Sequence, residues 1–396
     1  MKKRLLILGA GVFQVPFIEK AKEMGCYVGV IDINPDSPGI ALADEYFCCS
    51  LVEKDQVLRI AERFSTEGIT VGTCEVGVIT AAYVAQKMSL PFYCLDVAKC
   101  ATNKIDMIQC FKKYGVSSPE YEVIRLGDKI ATNIKYPVIT KPADKSASRG
   151  IYYVENEGQL ENAVLESMEC SDSKEVLIQE YMDGPEISVE LGVEKDNPVA
   201  LQVTDKMTNG APHYVEIGQM QPSRISDEMV IKVKKLACAA AKAIKLENCA
   251  GHAEIKLTSS GPKMVEIGGR MGGHYVDSYL LENSSGYQLQ EAIIRFALGE
   301  EFILRKTDKD AEVGMMCILS EEGFVKEIKG IQEAKKIEGI LKVVISAKIG
   351  KRYHKGVSNN DLIGYVVAMS TNEKSAKEIC EEALKKITIM YESTDF

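Results

Sequence analysis

The chain has 396 residues, 46% of them hydrophobic, and a formal net charge of −9. That is enough for roughly two to four domains with their own cores. The acidic balance argues against nucleic-acid or anionic-membrane partners, which take a basic surface. The apolar run after Met1-Lys2-Lys3-Arg4 ends at Gly9, too short for a secretory leader or a membrane span. Twelve cysteines show no CxxC pair and no zinc spacing, as expected of reduced thiols in a cytoplasmic protein.

Residues 4–97 read as alternating strand and helix. Leu5–Leu8, Tyr27–Ile33 and Ile69–Cys74 are the strands; Val15–Met24, Val57–Phe64 and Ile79–Lys87 are the helices. This order implies a parallel, doubly wound sheet. Gly9, Gly11 and Asp32 stand where a nicotinamide dehydrogenase carries its fingerprint. Gln14 replaces the third glycine, however, and one acid after a second strand is common in any such fold. The turns after Leu8, Ile31 and Cys74, including Glu75-Val76-Gly77, line one edge of a cleft.

Asn103–Tyr114 is an amphipathic helix with Lys104 at its start. Tyr136–Pro142 is a strand that runs through Lys141 into a small-residue loop holding Ser146, Ser148 and Gly150, and Ile151–Val154 returns. Small side chains let backbone N–H groups approach phosphate oxygens while Lys141 adds a point charge, so the loop reads as a phosphate flap. It is not a Walker A loop, and an ordinary exposed hairpin is the plain alternative. Gly158–Ser167 is a helix. Val176–Met182, with Gln179, Glu180, Tyr181 and Met182 at its end, reaches the Asp183-Gly184-Pro185 turn. Glu186–Glu190 then alternates. Such a stretch suits an adenine edge and ribose hydroxyls, although a plain hairpin explains it equally well.

Ala211–Gln219 alternates again, with His213, Val215 and Ile217 on one face and Glu216 on the other. Asp227–Lys245 is an alanine-rich packing helix. Gly251–His274 is a hairpin, and a turn centred on Ser260 pairs Leu257 with Lys263 and sets Glu254 opposite Glu266. Opposed carboxylates repel, so this arrangement needs a cation between them, a shared proton or a register slip. Two oxygen donors at that separation suit magnesium. Arg270 follows on the Glu266 face, among glycines that keep the region open to a ligand. Beyond it come a helix over Tyr287–Leu298, strands over Gly314–Leu319, Leu341–Ile349 and Ile363–Met369, and a helix over Glu373–Met390. No chemistry shows in that last part.

With Lys104, Lys141, the loop to Gly150, QEYMDGPEISVE and the Glu254/Glu266/Arg270 hairpin in one order and spacing, the chain resembles the ATP-grasp superfamily. The resemblance implies an α/β protein: a Rossmann-like domain (1–97), a linker helix and small ATP-grasp subdomain with the flap (98–183), a large subdomain with the metal site (184–300) and a small α+β C-terminal domain (301–396). It places Lys104 and Lys141 on the ATP phosphates and Ser146, Ser148 and Gly150 in the flap. Main-chain groups of Glu180 and Met182 meet adenine, with Gln179 and Tyr181 in the same stretch. Glu186 holds the ribose. Glu254 and Glu266 hold magnesium, or manganese in its place.

Within that superfamily, PHYVEIGQ followed by EIGGRMGGH is similar to the L-amino acid ligases, in which the matching Glu216, Arg270 and Gly273 lie at the acyl or acceptor end of the site. The resemblance implies an ATP-dependent carboxylate–amine ligase that works through an acyl phosphate on small molecules, and a homodimer. Arg270, Glu216 and Lys141 are then the catalytic candidates. Two positions depart from the pattern: Gly268 stands where many members carry a metal-binding Asn, and Gln219 where the ligase branch often has His. The rival readings are a purine-pathway enzyme of the same fold (phosphoribosylglycinamide synthetase or formate-activating type), a non-catalytic nucleotide binder and, third, a dehydrogenase.

Overall fold

Leu5, Leu6, Ile7 and Leu8 are all fully buried, as strand residues are when both faces of a parallel sheet are covered. In the computed structural model, which describes residues 2–145, 149–210 and 215–392, β1 (Arg4–Leu8) is followed by α1 (Val15–Glu23), β2 (Tyr27–Asp32), β3 (Glu45–Cys48), α2 (Lys54–Arg63), β4 (Gly68–Val71) and α3 (Val78–Met88). The four strands are parallel in the order β3-β2-β1-β4. β3 has no counterpart in the sequence reading, because its four residues form a half-buried edge without a clear alternation.

α4 (Leu95–Cys100) leads to α5 (Lys104–Tyr114). The Asn103 side chain caps α5, accepting from the N–H groups of Ile105 and Asp106 at 2.9 and 3.1 Å. The cap fixes Lys104 at the first helical position. β5 (Tyr121–Arg125), β6 (Val138–Pro142), β7 (Tyr152–Val154), α6 (Glu157–Cys170) and β8 (Glu175–Glu180) form an antiparallel sheet in the order β5-β8-β6-β7, with α6 packed on it. The flap candidates Ser146 and Ser148 lie outside the described residues, as does His213.

After β8 the chain does not fold back as a hairpin. The Asp183-Gly184-Pro185 turn carries it into a different sheet. Gly184 has φ +88°, and a Cβ there would lie 2.1 Å from the Leu257 carbonyl oxygen, so the crossing requires glycine. The second sheet is built from β9 (Glu186–Glu194), β10 (Asn197–Thr208), β11 (Glu216–Gln221), β12 (Cys249–Thr258) and β13 (Gly261–Gly268), backed by α7 (Asp227–Ala243). α8 (Leu281–Ser285) and α9 (Leu289–Ala297) follow, then β14 (Val313–Leu319), β15 (Gly323–Lys329), α10 (Ile331–Lys335), β16 (Ile340–Ile345), β17 (Arg352–Tyr353), β18 (Leu362–Met369), α11 (Ala376–Lys386) and β19 (Thr388–Glu392).

One eight-stranded sheet runs β13-β12-β9-β10-β11-β14-β18-β16. It crosses residue 300, so segments 184–300 and 301–396 share a sheet. The helix expected to reach Met390 ends at Lys386; Ile387 turns extended at ψ 124°, and Thr388–Glu392 pairs with β15 instead. Thr, Ile and Tyr favour a pleated surface, and here they find a partner strand.

Candidate active site

The β12–β13 hairpin is the centre of the site, and its register has a twist that the sequence did not reveal. A two-residue turn at Ser259-Ser260 pairs Leu257 with Pro262 and Lys256 with Lys263, one step from the expected Leu257–Lys263 match. A bulge between Glu254 and Ile255 then restores the offset, and Glu254 does face Glu266. The bulge therefore creates the opposed acids rather than relieving them. β9 extends the grid: Glu186 pairs with Lys256, Ser188 with Glu254, and Glu190 with His252, which is itself opposite Gly268.

Lysines supply the charge that the opposed acids need. Lys104 Nζ lies 2.7 Å from Glu266 Oε2. Lys206 Nζ, 4% exposed, lies 2.7 Å from Glu254 Oε1, 2.5 Å from Glu186 Oε1 and 3.2 Å from Glu216 Oε1. Burial alone pushes the Lys104 and Lys206 pKa values down, but Glu266 and Glu75 around Lys104, and Glu186, Glu254 and Glu216 around Lys206, raise both. Burial likewise favours neutral Glu254 and Glu266. It loses to Lys206 and His252 at Glu254, which is held well below the usual carboxylate range, and to Lys104 and Lys141 at Glu266, which is lowered despite Glu254. Lys141, in β6, is different: burial and the neighbouring Lys104 bring it down to about 8, against the pull of Glu266, Glu254 and Glu186.

Arg270 leaves the end of β13 and folds back over Gly268, where an added Cβ would sit 3.4 Å from Arg270 Cγ. Its Nη2 lies 2.7 Å from Glu75 Oε2, across from the first domain, and Nη1 donates to the Met271 carbonyl at 3.0 Å. Nε is buried with no partner among the described residues, leaving a donor for a ligand oxygen. The first domain fixes this corner further: Tyr93 donates to the Gly269 carbonyl at 2.7 Å, and the Met271 N–H donates to that of Gly72 at 3.2 Å. Glu216 opens β11. It receives Gln219 Nε2 at 2.7 Å and His274 Nδ1 at 2.9 Å on Oε2. Its pKa falls to about 2: burial opposes the shift, while Lys206 and His274 outweigh it.

The structure thus gathers Lys104, Lys141, Glu186, Glu216, Glu254, Glu266 and Arg270 in one place. Gln179, Glu180, Tyr181 and Met182 stand apart at the end of β8. The Glu180 N–H donates to the Glu120 carbonyl at 2.9 Å, and its carboxylate accepts from Lys263 at 2.7 and 2.8 Å. Gly150 backs onto α6, its carbonyl accepting from Ser167 Oγ at 2.8 Å. Five site residues escaped the sequence reading as actors: Lys206, Glu75 as the Arg270 partner, Glu190, His252 and His274. His252 carried a signal in sharing the Glu254 face by alternation, and Glu75 in its cleft-edge turn after the third expected strand.

The oxygen donors of Glu254 and Glu266, on one sheet face beside Lys104, Lys141 and Lys206, fit a hard divalent ion together with a polyphosphate. No described helix is long and apolar enough to cross a membrane.

Comparisons with known proteins bear on the fold and on two of its domains. The ATP-grasp domain family matches residues 134–277, and the L-amino acid ligase C-terminal domain 2 family matches residues 315–392. Carnosine synthase 1 of Gallus gallus is 23% identical over 354 residues, covering 81% of this chain but 38% of that protein, so the chain spans well under half of that relative. The crystal structure of L-amino acid ligase from Bacillus licheniformis superposes with a TM-score of 0.85 at 20% identity over 99% of both chains. That of phosphoribosylglycinamide synthetase from Anaerococcus prevotii superposes at 0.82 with 24% identity, covering 99% of this chain and all of the other. The chain thus carries an ATP-grasp domain over residues 134–277 and a C-terminal domain of the L-amino acid ligase type over residues 315–392.

Proposed function

We propose that the protein joins a small carboxylate, an amino acid, to an amine through an acyl phosphate. The observation that carries this reading is the opposed Glu254–Glu266 pair set among Lys104, Lys141, Lys206 and Arg270. The match of residues 315–392 to the L-amino acid ligase C-terminal domain favours amino acids over a phosphoribosyl amine.

A carboxylate resists attack because its charge is delocalised and it lacks a leaving group. In the proposed sequence a carboxylate oxygen attacks the γ-phosphorus of ATP and ADP departs. The amine nitrogen then attacks the acyl carbon, and phosphate leaves. Magnesium held by Glu254 and Glu266 would neutralise charge on the phosphate oxygens. Lys104 and Lys141 hold the phosphates as point charges, and Lys206 draws the Glu186, Glu216 and Glu254 carboxylates close together. The Arg270 guanidinium, clamped by Glu75, offers its unpartnered Nε–H to the substrate carboxylate and to the oxyanion that develops on it. Gln179, Tyr181, the Glu180 carbonyl and Met182 border the adenine end, and Glu186 is the ribose candidate. Glu216, opposite Arg270 in charge, is the candidate for the amine end, near Gly273.

ADP release measured over L-amino acids, singly and in pairs, tests the reading. Release that depends on a pair, with the amide found by mass spectrometry, supports it. Nucleotide binding without release for any pair would replace it with the regulatory binder. Release that requires a phosphoribosyl amine would replace it with the purine-pathway enzyme.

A further inference from the structure

Gly268 leaves the hairpin with two carboxylate donors and no side chain at the next position on that face. The residue directly across the strand pair from Gly268 is His252. We propose that His252 Nε2 is the third protein ligand of the divalent ion, supplied across the sheet from the position that glycine leaves open. The proposal rests on the assignment of Glu254 and Glu266 to that ion.

The ring is built to hold one orientation. Its Nδ1 lies 2.7 Å from Glu190 Oε2. Glu190 is 0% exposed, and its other oxygen accepts from Ser188 Oγ at 2.6 Å and from Thr204 Oγ1 at 3.0 Å. A carboxylate so fully engaged cannot swing, and an ionised carboxylate only accepts, so Nδ1 carries the hydrogen. Nε2 is left facing Glu254 Oε1 at 3.6 Å. A carboxylate on one imidazole nitrogen and a metal on the other is how ligating histidines are fixed in tautomer and direction. Two glycines make the space. Gly268 puts nothing between the strands beyond the folded-back Arg270, and a Cβ at Gly272 would stand 2.6 Å from His252 Nδ1.

An ion seated instead among Glu190, His252 and Asp277, whose ligand atoms lie within 4.8 Å of one another, would have to displace the Ser188, Thr204 and His252 hydrogen bonds. An ion on the Glu254 side leaves the Ser188, Thr204 and His252 hydrogen bonds to Glu190 in place and shares Glu254 with Lys206. An imidazole in the set also moves preference from magnesium toward softer ions such as manganese.

The test reads the ligand directly, without turnover. Manganese and ADP are bound to the full chain, and pulsed electron paramagnetic resonance measures nitrogen coupling to the manganese. The expected result is a directly coordinated imidazole nitrogen that shifts to the 15N pattern when the protein is made with [15N]histidine, disappears in His252→Gln and persists in His274→Asn. Manganese affinity should fall about tenfold in His252→Gln. The isotope experiment keeps the test decisive even if His252→Gln does not fold. Manganese that binds with ADP and is weakened by Glu266→Gln, yet shows no histidine nitrogen, overturns the proposal and leaves the two carboxylates in place. Manganese binding that ignores Glu266→Gln removes the metal site and this inference together.

Discussion

Two turns in this molecule look ready for a phosphate, and they differ in what their polar groups already do. The Gly9-Ala10-Gly11 turn of the first domain is closed upon itself. The Ala10 N–H donates to Asp32 Oδ2 at 2.8 Å, the Ala10 carbonyl accepts from the Gly39 N–H at 2.8 Å, and the Gln14 side chain bridges the Leu8 carbonyl and the Thr73 N–H at 3.0 Å each. The acid that makes the stretch resemble a dinucleotide fingerprint, and the glutamine that departs from it, are both structural ties. In the hairpin, by contrast, a bulge forces like charges together, and three lysines and an arginine converge on them with an Arg270 donor left over. Satisfied polar groups hold a fold, whereas surplus ones await a ligand.

Arg270→Ala should break the hairpin side of this comparison most severely. Turnover should drop by about a thousandfold or more, while the KM for ATP stays within about threefold. A near-normal rate would take Arg270 out of the mechanism. Glu266→Gln should come next, raising the magnesium concentration for half-maximal rate by about tenfold. Unchanged magnesium dependence would refute the metal assignment.

These two residues were legible in the sequence for a physical reason. Alternation and a turn of small residues mark a hairpin locally, although the expected pairing of Glu254 with Glu266 holds only because a bulge offsets a turn one step from the one expected. Lys141 was legible at the end of a strand before a small-residue loop, whereas Lys104 at its helix start was marked only by the resemblance. Lys206 was not: it lies in a strand broken in pattern by Asp205 and Lys206 themselves, and its partner Glu254 is 48 residues away. Glu75 and Arg270 are 195 residues apart, and only the docking of the first domain brings them together. His274 has φ +51°, a conformation that no periodicity predicts. The shared sheet across residue 300 was hidden likewise, because its strand pairs β11–β14 and β14–β18 join distant segments.

A smaller effect concerns pH. Lys141 is pushed down to about 8, so it loses its charge as pH rises through that value, well below the ordinary lysine range. ATP affinity should therefore weaken above about pH 8, and Lys141→Arg, which stays charged, should flatten that alkaline limb. The same shift implies that the unfolded chain holds more protons between about pH 8 and 10.5, so this group makes stability rise with pH in that window. An ATP affinity flat to pH 10 would contradict the assignment. The smallest effect is expected on the closed turn. Asp32→Ala orphans the Ala10 N–H and should cost about 1–2 kcal/mol of stability, read as a melting temperature lower by a few degrees, with the KM for ATP unchanged. A large loss of ATP affinity in that variant would reopen the first domain as a nucleotide site.

The most direct measurement is a crystal structure with magnesium and a non-hydrolysable ATP analogue. The triphosphate should lie against Lys104 and Lys141 with the ion on Glu254 and Glu266. Phosphates found on the Gly9-Ala10-Gly11 turn, or Glu254 and Glu266 turned away from the ion, would contradict the account.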